Sequence, residues 1–323
     1  MNSETVKPRA KMSIEDAIAI LAADPRHTVI LLDIDGVLAP LVADPGAARL
    51  FDGTHDALEA AQREFALVAA VTGRQSKDAR SLLNLPGTPV VGYHGGEVLW
   101  PSQDEPDVDP EFGKWKAHVS GFAGGEFTQQ LRDLGVRLDD KGGGIASFHF
   151  REVTDPKGVD DVMIGIARRA REAGLRPVYG DGILEIRPDV PLSKREGVLK
   201  LVDRDAIRVV AYGGDSGPDR DAFEALNDLE AEGRTTIRIA VKGSLSPLDL
   251  MREADIVLNG PKEMRDFLEA AALAAHQRNE LDRAAPDRPA PDHAPARATS
   301  AAATSRAAPP AAIRGRGAAT ELA

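Results

Sequence analysis

The chain contains no cysteine in 323 residues, which excludes disulfide scaffolds, cysteine-ligated zinc, iron–sulfur clusters and thiol catalysis. It has no basic excess: 40 Lys and Arg stand against 51 Asp and Glu, a formal net charge of −11. That balance argues against nucleic acid as a partner, because phosphate backbones recruit clustered Lys and Arg. Aromatic residues are few, at 4%, but apolar residues reach 42%, enough for a real core. No apolar run approaches the roughly 18–20 residues a bilayer requires, and the first twenty residues lack the continuous apolar segment of a signal peptide. The expectation is a cytoplasmic protein, monomeric, with no membrane partner.

Short apolar runs at 28–32, 65–71, 89–92, 207–212 and 236–241 alternate with helical stretches near 52–64, 193–203 and 219–232. Near-continuous apolar strands separated by helices predict a doubly wound α/β fold with a parallel sheet covered on both faces. Ser193 followed by Glu196 is a capping box that starts the second of these helices. The residues in between read differently. A helix over 112–134, a strand over 145–151, a helix over 159–173 stopped by Gly174, and two runs flanking Gly180-Asp181-Gly182 as a hairpin predict a small α+β insertion. The expected division is core over 1–105, insertion over 106–188, core again over 189–275, and a tail over 276–323. From Arg283 onward the tail is Ala, Pro, Arg, Ser and Thr with a net charge of +3, and disorder is expected there. A helix over 13–23 precedes the first strand, with the sheet edge as one place for it to pack.

The chemistry-bearing residues fall at strand ends. The first strand runs into Asp33-Ile34-Asp35-Gly36, and alternation sets both acids on one side of the chain. Open α/β sheets bind ligands at this end, and paired acids call for a cation or a shared proton. Without cysteine and with seven scattered histidines, an oxygen-ligand Mg²⁺ site is the match. The same letters also fit a turn of solvated acids, and the pair alone leaves both readings open. The second strand ends in Thr72-Gly73-Arg74, where a hydroxyl can meet a phosphoryl oxygen, although Thr-Gly is also ordinary turn chemistry. Lys194 opens a helix, an anion-binding position, although on its own it reads first as a solvated lysine. The fourth strand ends in Gly214-Asp215-Ser216-Gly217-Pro218-Asp219. Its Gly-Asp-Ser-Gly also occurs around serine-protease nucleophiles, but the parallel α/β pattern rules that reading out.

The order of acid pair, hydroxyl, lysine and acid pair resembles the four motifs of the haloacid-dehalogenase-like phosphatases. Within that superfamily the chain is similar to the trehalose-6-phosphate phosphatase family over most of residues 28–270. The further matches are 92–97 (GYHGGE), Asp139-Asp140-Lys141 leading to His149-Phe150-Arg151, and 182–188 (GILEIRP). The resemblance implies a Rossmann-like core with an inserted cap that closes over a disaccharide phosphate, Mg²⁺ as cofactor, and hydrolysis of trehalose 6-phosphate in trehalose biosynthesis. It implies that Asp33, Asp35, Thr72 and Lys194 are catalytic, and that Asp33, Asp35, Asp215 and Asp219 serve the metal. Substrate contacts are then expected from Arg74, His94, Glu97, Asp139, Lys141 and Glu185.

The pattern departs from the family in three ways. Ser216, Pro218 and Arg220 stand where an acid, a threonine and an acid are usual, and Arg220 is expected to weaken the metal site. Asp139 replaces a longer Glu. The interval from Lys141 to His149 is one residue longer than the pattern, which would flip later side chains unless a glycine bulge absorbs it. A phosphatase for another sugar phosphate and a non-catalytic sugar-phosphate-binding protein are the alternatives these departures raise.

Overall fold

The computed structural model describes residues 9–284, apart from 10, 43, 152, 154, 181, 203–205 and 245. The expected disorder beyond 284 lies outside the described residues. The core begins with α1 (Ile14–Ala23), β1 (Thr28–Leu32), α2 (Thr54–Glu64), β2 (Leu67–Val71), α3 (Ser76–Leu83), β3 (Val90–Gly92), β4 (Glu97–Leu99) and β5 (Asp107–Val108). The cap follows as α4 (Pro110–Glu126), α5 (Gln129–Asp133), β6 (Arg137–Asp139), β7 (Ala146–His149), α6 (Pro156–Glu172), β8 (Leu175–Gly180) and β9 (Ile183–Pro188). The chain returns to the core through α7 (Lys194–Val202), β10 (Val209–Gly214), α8 (Asp219–Ala231), β11 (Thr235–Val241), α9 (Leu248–Glu253), β12 (Ile256–Leu258) and α10 (Gly260–Ala284).

The core sheet runs β12-β11-β10-β1-β2-β3-β4-β5 and the cap sheet β6-β7-β9-β8. From β12 to β3 neighbouring strands are parallel, while β4 and β5 add antiparallel pairs at one edge. β1 is buried along its whole length, as a strand sandwiched between helical layers must be. Alternate β1 residues face opposite cores: Ile30 and Leu32 pack with α1, α2 and α10, and Val29 and Leu31 pack with α7 and α8. From β1 the chain moves to β2 on one side and, after the cap, returns to β10 on the other. The carboxyl ends of these three strands therefore converge at a topological switch point, the usual location of a site in such sheets.

Several boundaries differ from the sequence reading. β5 pairs with β4 (Glu97 with Val108) and belongs to the core sheet, so the cap starts after 108 rather than at 106. α10 continues to Ala284, beyond the expected tail start at 276, because Ala271, Ala272, Ala275 and Asn279 are buried on its inner face. α1 packs on a sheet face beside α10 rather than on the edge, with Ala17 and Leu21 fully buried. The segment before it is tied down by Arg9, whose Nε donates to Asp255 Oδ1 at 2.9 Å. The helix expected over 112–134 breaks after Glu126, and Thr128 caps α5 by accepting from the Leu131 N–H at 3.4 Å.

In the interval between Lys141 and His149, Gly142, Gly143 and Gly144 lie in a turn rather than in a strand. Gly142 and Gly143 take φ of 67° and 89° in that turn, conformations glycine adopts without a Cβ penalty. The flanking strands pair in register, Arg137 with His149 and Asp139 with Ser147. Beside this turn Tyr93, Phe112 and Ile145 form a small apolar cluster joining core to cap. Among the described residues no helix is long and apolar enough to cross a membrane.

Candidate active site

Asp33 continues β1, its N–H donating to the Gly213 carbonyl of β10 at 2.9 Å. Its Oδ1 accepts from the Ile34 N–H at 2.7 Å and its Oδ2 pairs with Lys194 Nζ at 2.6 Å. The same ammonium pairs with Asp219 Oδ1 at 2.6 Å, and all three groups are buried. Ser193 caps α7 through the Arg195 N–H at 3.1 Å, which carries Lys194 inward from the first helical position. Burial alone would lower the Lys194 ammonium, but Asp219 and Asp33 outweigh it and raise its proton affinity.

Asp219, at the start of α8, is saturated. Its Oδ1 takes Lys194 and the Tyr212 hydroxyl (2.6 Å), and its Oδ2 takes the Asp215 N–H (3.0 Å), the Ser216 N–H (2.8 Å) and the Ser216 hydroxyl (2.8 Å). Burial alone would raise this carboxyl, yet the Lys194 ammonium and these donors hold it below its ordinary value. Asp215 differs. Its carboxylate is buried, accepts no hydrogen bond among the described residues, and fits beside Gly36, where a Cβ would overlap it. Burial, followed by repulsion from Asp33 and Asp219, pushes its carboxyl up to about 8. Burial pushes Asp33 up to about 7 despite Lys194.

Ligand oxygens of Asp33, Asp215 and Asp219 lie within 4.8 Å of one another. Three buried carboxylates with one buried ammonium carry an uncompensated negative charge, and their donor atoms are all oxygen. That set fits a hard divalent cation such as Mg²⁺. Of the three, Asp215 accepts no hydrogen bond among the described residues, so it and Asp33 are the carboxylates that could meet such a cation directly, whereas the saturated Asp219 braces Lys194 and the 215–216 backbone.

Thr72 and Arg74 leave β2 beside this cluster. The Arg74 N–H donates to Thr72 Oγ1 at 3.2 Å, and its guanidinium grips Asp35 with both arms, each at 2.7 Å. The turn of Tyr93–Gly95 holds Tyr93 and His94 at φ of 50° and 55°. These are uncommon values for residues with a side chain. Two hydrogen bonds fix the turn: Tyr93 N–H to the Arg74 carbonyl at 2.9 Å, and His94 N–H to the Thr72 carbonyl at 3.0 Å.

A cavity of about 550 Å³ spans core and cap. From the core it is lined by Asp33, Asp35, Thr72, Arg74, His94 and Asp215, and from the cap by Asp139 and Glu185. The cap register aligns Asp139 (β6), Ser147 (β7) and Glu185 (β9) in one row across the sheet, so the two expected acids sit two strand spacings apart, roughly 10 Å. Lys194 and Asp219 stand behind the cavity wall rather than on it.

One residue expected to contact substrate is not brought into the cavity. Glu97 is buried and caps α3, accepting from the Ser76 N–H at 2.8 Å and the Ser76 hydroxyl at 2.6 Å, with Lys116 of the cap at 3.5 Å. A buried acid at a helix N-terminus satisfies orphan N–H groups, and that position keeps Glu97 from the substrate contact first assigned to it. The side chain of Lys141 lies outside the described residues. Arg220 does not face the site either: Glu253 binds its guanidinium at 2.9 and 2.6 Å, so the charge reversal is neutralised away from the acids. The sequence reading missed Tyr212, two residues before Gly214 in β10, and Arg187, two residues after Glu185 in β9. Strand alternation places each on the face of its functional neighbour.

The family model described as trehalose-phosphatase matches residues 31–247. A trehalose-phosphate phosphatase of Mycobacterium tuberculosis is 32% identical over 209 residues, covering 62% of this chain and 52% of the relative. A protein of the same organism described as an uncharacterized glycosyl hydrolase is 30% identical over 211 residues, covering 62% of this chain and 15% of the relative. The chain thus spans about half the length of the first and a small fraction of the second. The C-terminal domain of Candida albicans trehalose-6-phosphate phosphatase shares the fold, with a TM-score of 0.64 at 20% identity over 83% of this chain and 99% of that one. With the family's match covering most of the described fold and its motifs meeting at one site, the chain belongs to the trehalose-phosphatase family.

Proposed function

We propose that the protein hydrolyses trehalose 6-phosphate to trehalose and phosphate, in trehalose biosynthesis. One observation carries the reading: the Asp33 carboxylate shares a single cavity with a row of polar residues on the cap, Asp139, Ser147 and Glu185, set to meet sugar hydroxyls in this reading. An Asp33 oxygen attacks phosphorus, forming an aspartyl-phosphate as the bond to the sugar oxygen breaks. Asp35 gives that oxygen its proton and then takes one from the water that attacks phosphorus, releasing phosphate and restoring Asp33. The bidentate Arg74 contact aims the Asp35 carboxylate, and one oxygen leaves the guanidinium to carry the proton. Thr72 offers a donor to the phosphoryl oxygens, and Lys194, behind the cavity wall, serves the reaction through Asp33, whose carboxylate it pairs with and favours against burial. Asp33, Asp215 and the main-chain carbonyl of Asp35 would hold Mg²⁺, which neutralises charge on the transferring oxygens.

Phosphate release from trehalose 6-phosphate, glucose 6-phosphate and sucrose 6-phosphate, with and without Mg²⁺, tests the reading. Strong Mg²⁺-dependent release from the trehalose ester is expected, abolished in Asp33→Asn with the fold intact. Undiminished turnover by Asp33→Asn overturns the mechanism, and preference for another ester overturns the substrate.

A further inference from the structure

We propose that Arg187 is the positioning residue that holds the sugar-binding row of the cap in register with the phosphoryl site of the core. The inference rests on the function proposed above. In β9, Leu184 and Ile186 are fully buried in the cap interior, so alternation puts Glu185 and Arg187 together on the cavity face. Arg187 Nε donates to Glu185 Oε2 at 2.9 Å, and Nη2 reaches the same oxygen. Ser147 Oγ donates to the other oxygen, Oε1, at 3.3 Å. The carboxylate expected to meet sugar hydroxyls is thus held at both ends rather than free among its rotamers.

The same Nη2 also donates to His94 Nε2 at 3.4 Å, and His94 belongs to the core. Its backbone is fixed to Thr72, and its ring covers Gly73, where a Cβ would come within 2.7 Å of Cε1 and Nε2. The core adopts left-handed backbone at Tyr93 and His94 to place this ring beside the phosphoryl loop. A continuous line of contacts therefore runs Ser147–Glu185–Arg187–His94 and ends against Gly73, next to Thr72. In this line Arg187 is a charged donor that crosses from cap to core. Productive phosphoryl transfer requires the sugar oxygen to lie in line with Asp33, and a misplacement of about 1 Å can cost on the order of 100-fold in rate. Fixing Glu185 relative to the Thr72 loop provides that alignment.

The test compares Arg187→Gln and Arg187→Lys on trehalose 6-phosphate and on p-nitrophenyl phosphate, which has the phosphoryl group but no sugar hydroxyls. For Arg187→Gln, kcat/KM on the sugar ester is expected to fall roughly 10- to 100-fold, the worth of one or two charge-assisted hydrogen bonds, with a rise in KM and a fall in kcat. On p-nitrophenyl phosphate it should stay within about twofold, and Arg187→Lys, which restores charge but not the fork, should recover part of the loss. The pair Arg187→Gln with Glu185→Gln should lose less than the product of the two single losses, because both remove the Glu185–Arg187 contact. Equal losses on both substrates, no loss on the sugar ester, or losses that multiply in the double variant would each overturn the proposal.

If the wild type prefers another sugar phosphate, the comparison is made on that ester, so the register and the trehalose reading fail separately. If it turns over neither compound, the function reading fails and calorimetric binding of trehalose 6-phosphate decides. Weaker binding by Arg187→Gln upholds the register; unchanged binding, or none to the wild type, overturns it.

Discussion

Asp219→Asn perturbs the most connected side chain of the site while nearly preserving its shape. Five donors meet this carboxylate, and Asp219 is fully buried. The amide oxygen of the variant will face the three donors from residues 215 and 216, because only an acceptor satisfies them. Its N–H₂ then faces Lys194 and Tyr212. The Tyr212 hydroxyl can rotate to accept, but the ammonium cannot, so Lys194 keeps Asp33 as its sole carboxylate. Breaking one member of a buried ion pair costs about 3–5 kcal/mol. Relief of repulsion on Asp33 and Asp215 offsets part of that, leaving roughly 2–3 kcal/mol. For a domain of this size that is a fall in Tm of about 5–10 °C. Thermal unfolding of the metal-free protein by circular dichroism reads this directly. A fall under about 2 °C would show that the Lys194–Asp219 pair contributes nothing net, and would remove the bracing role assigned to Asp219.

The raised carboxyls of Asp33 and Asp215, at about 7 and about 8, give a pH dependence of defined sign. A carboxyl raised on folding stabilises the native state fully below about pH 4, and that contribution is lost as pH rises through the folded value. The metal-free protein should therefore melt lower near pH 8.5 than near pH 5.5, and Mg²⁺ should raise Tm more at the higher pH; a Mg²⁺ shift independent of pH would count against both assignments. Glu97→Gln keeps an acceptor for Ser76 but loses the charge facing Lys116, so stability should fall by about 1 kcal/mol in urea unfolding with KM unchanged. A several-fold rise in KM would return Glu97 to the substrate. Arg220→Ala removes a half-exposed pair with Glu253, for a loss of under about 1 kcal/mol. Mg²⁺ titration should give the same half-saturation as wild type, and tighter binding would show that the acids feel this charge.

The strands that carry the core were legible because both of their faces are buried. β1, β2, β3, β10 and β11 read as apolar runs, and no polar face interrupts them. β4, β5 and β6 were not, being only two or three residues long, and β5 and β6 are also partly solvated at sheet edges. Such segments derive their strand geometry from a neighbour rather than from their own composition. The break in the helix over 112–134 was hidden for a related reason: Thr128 acts as a cap only because the cap core places Leu131 inward, a tertiary preference that no local pattern expresses.

At the site, sequence spacing placed residues well wherever a strand end fixed them, and poorly where a loop chose between two directions. Asp33, Asp35, Thr72 and Asp215 each sit within a few residues of a buried parallel strand, so register alone carries them to the cavity. Glu97 lies at the start of β4, after a turn with two left-handed residues, and that reversal aims it at α3 instead of at the cavity. Arg187 shows the opposite case. Its strand was predicted and its neighbour Glu185 singled out, so alternation already placed both on one face. What the sequence could not express is that β9 ends beside His94, because that proximity depends on how the inserted cap is seated over the core. The chemistry of each half is written locally, at strand ends. The alignment between the halves is a property of their packing, and Arg187 is the side chain through which that packing reaches the reacting atoms.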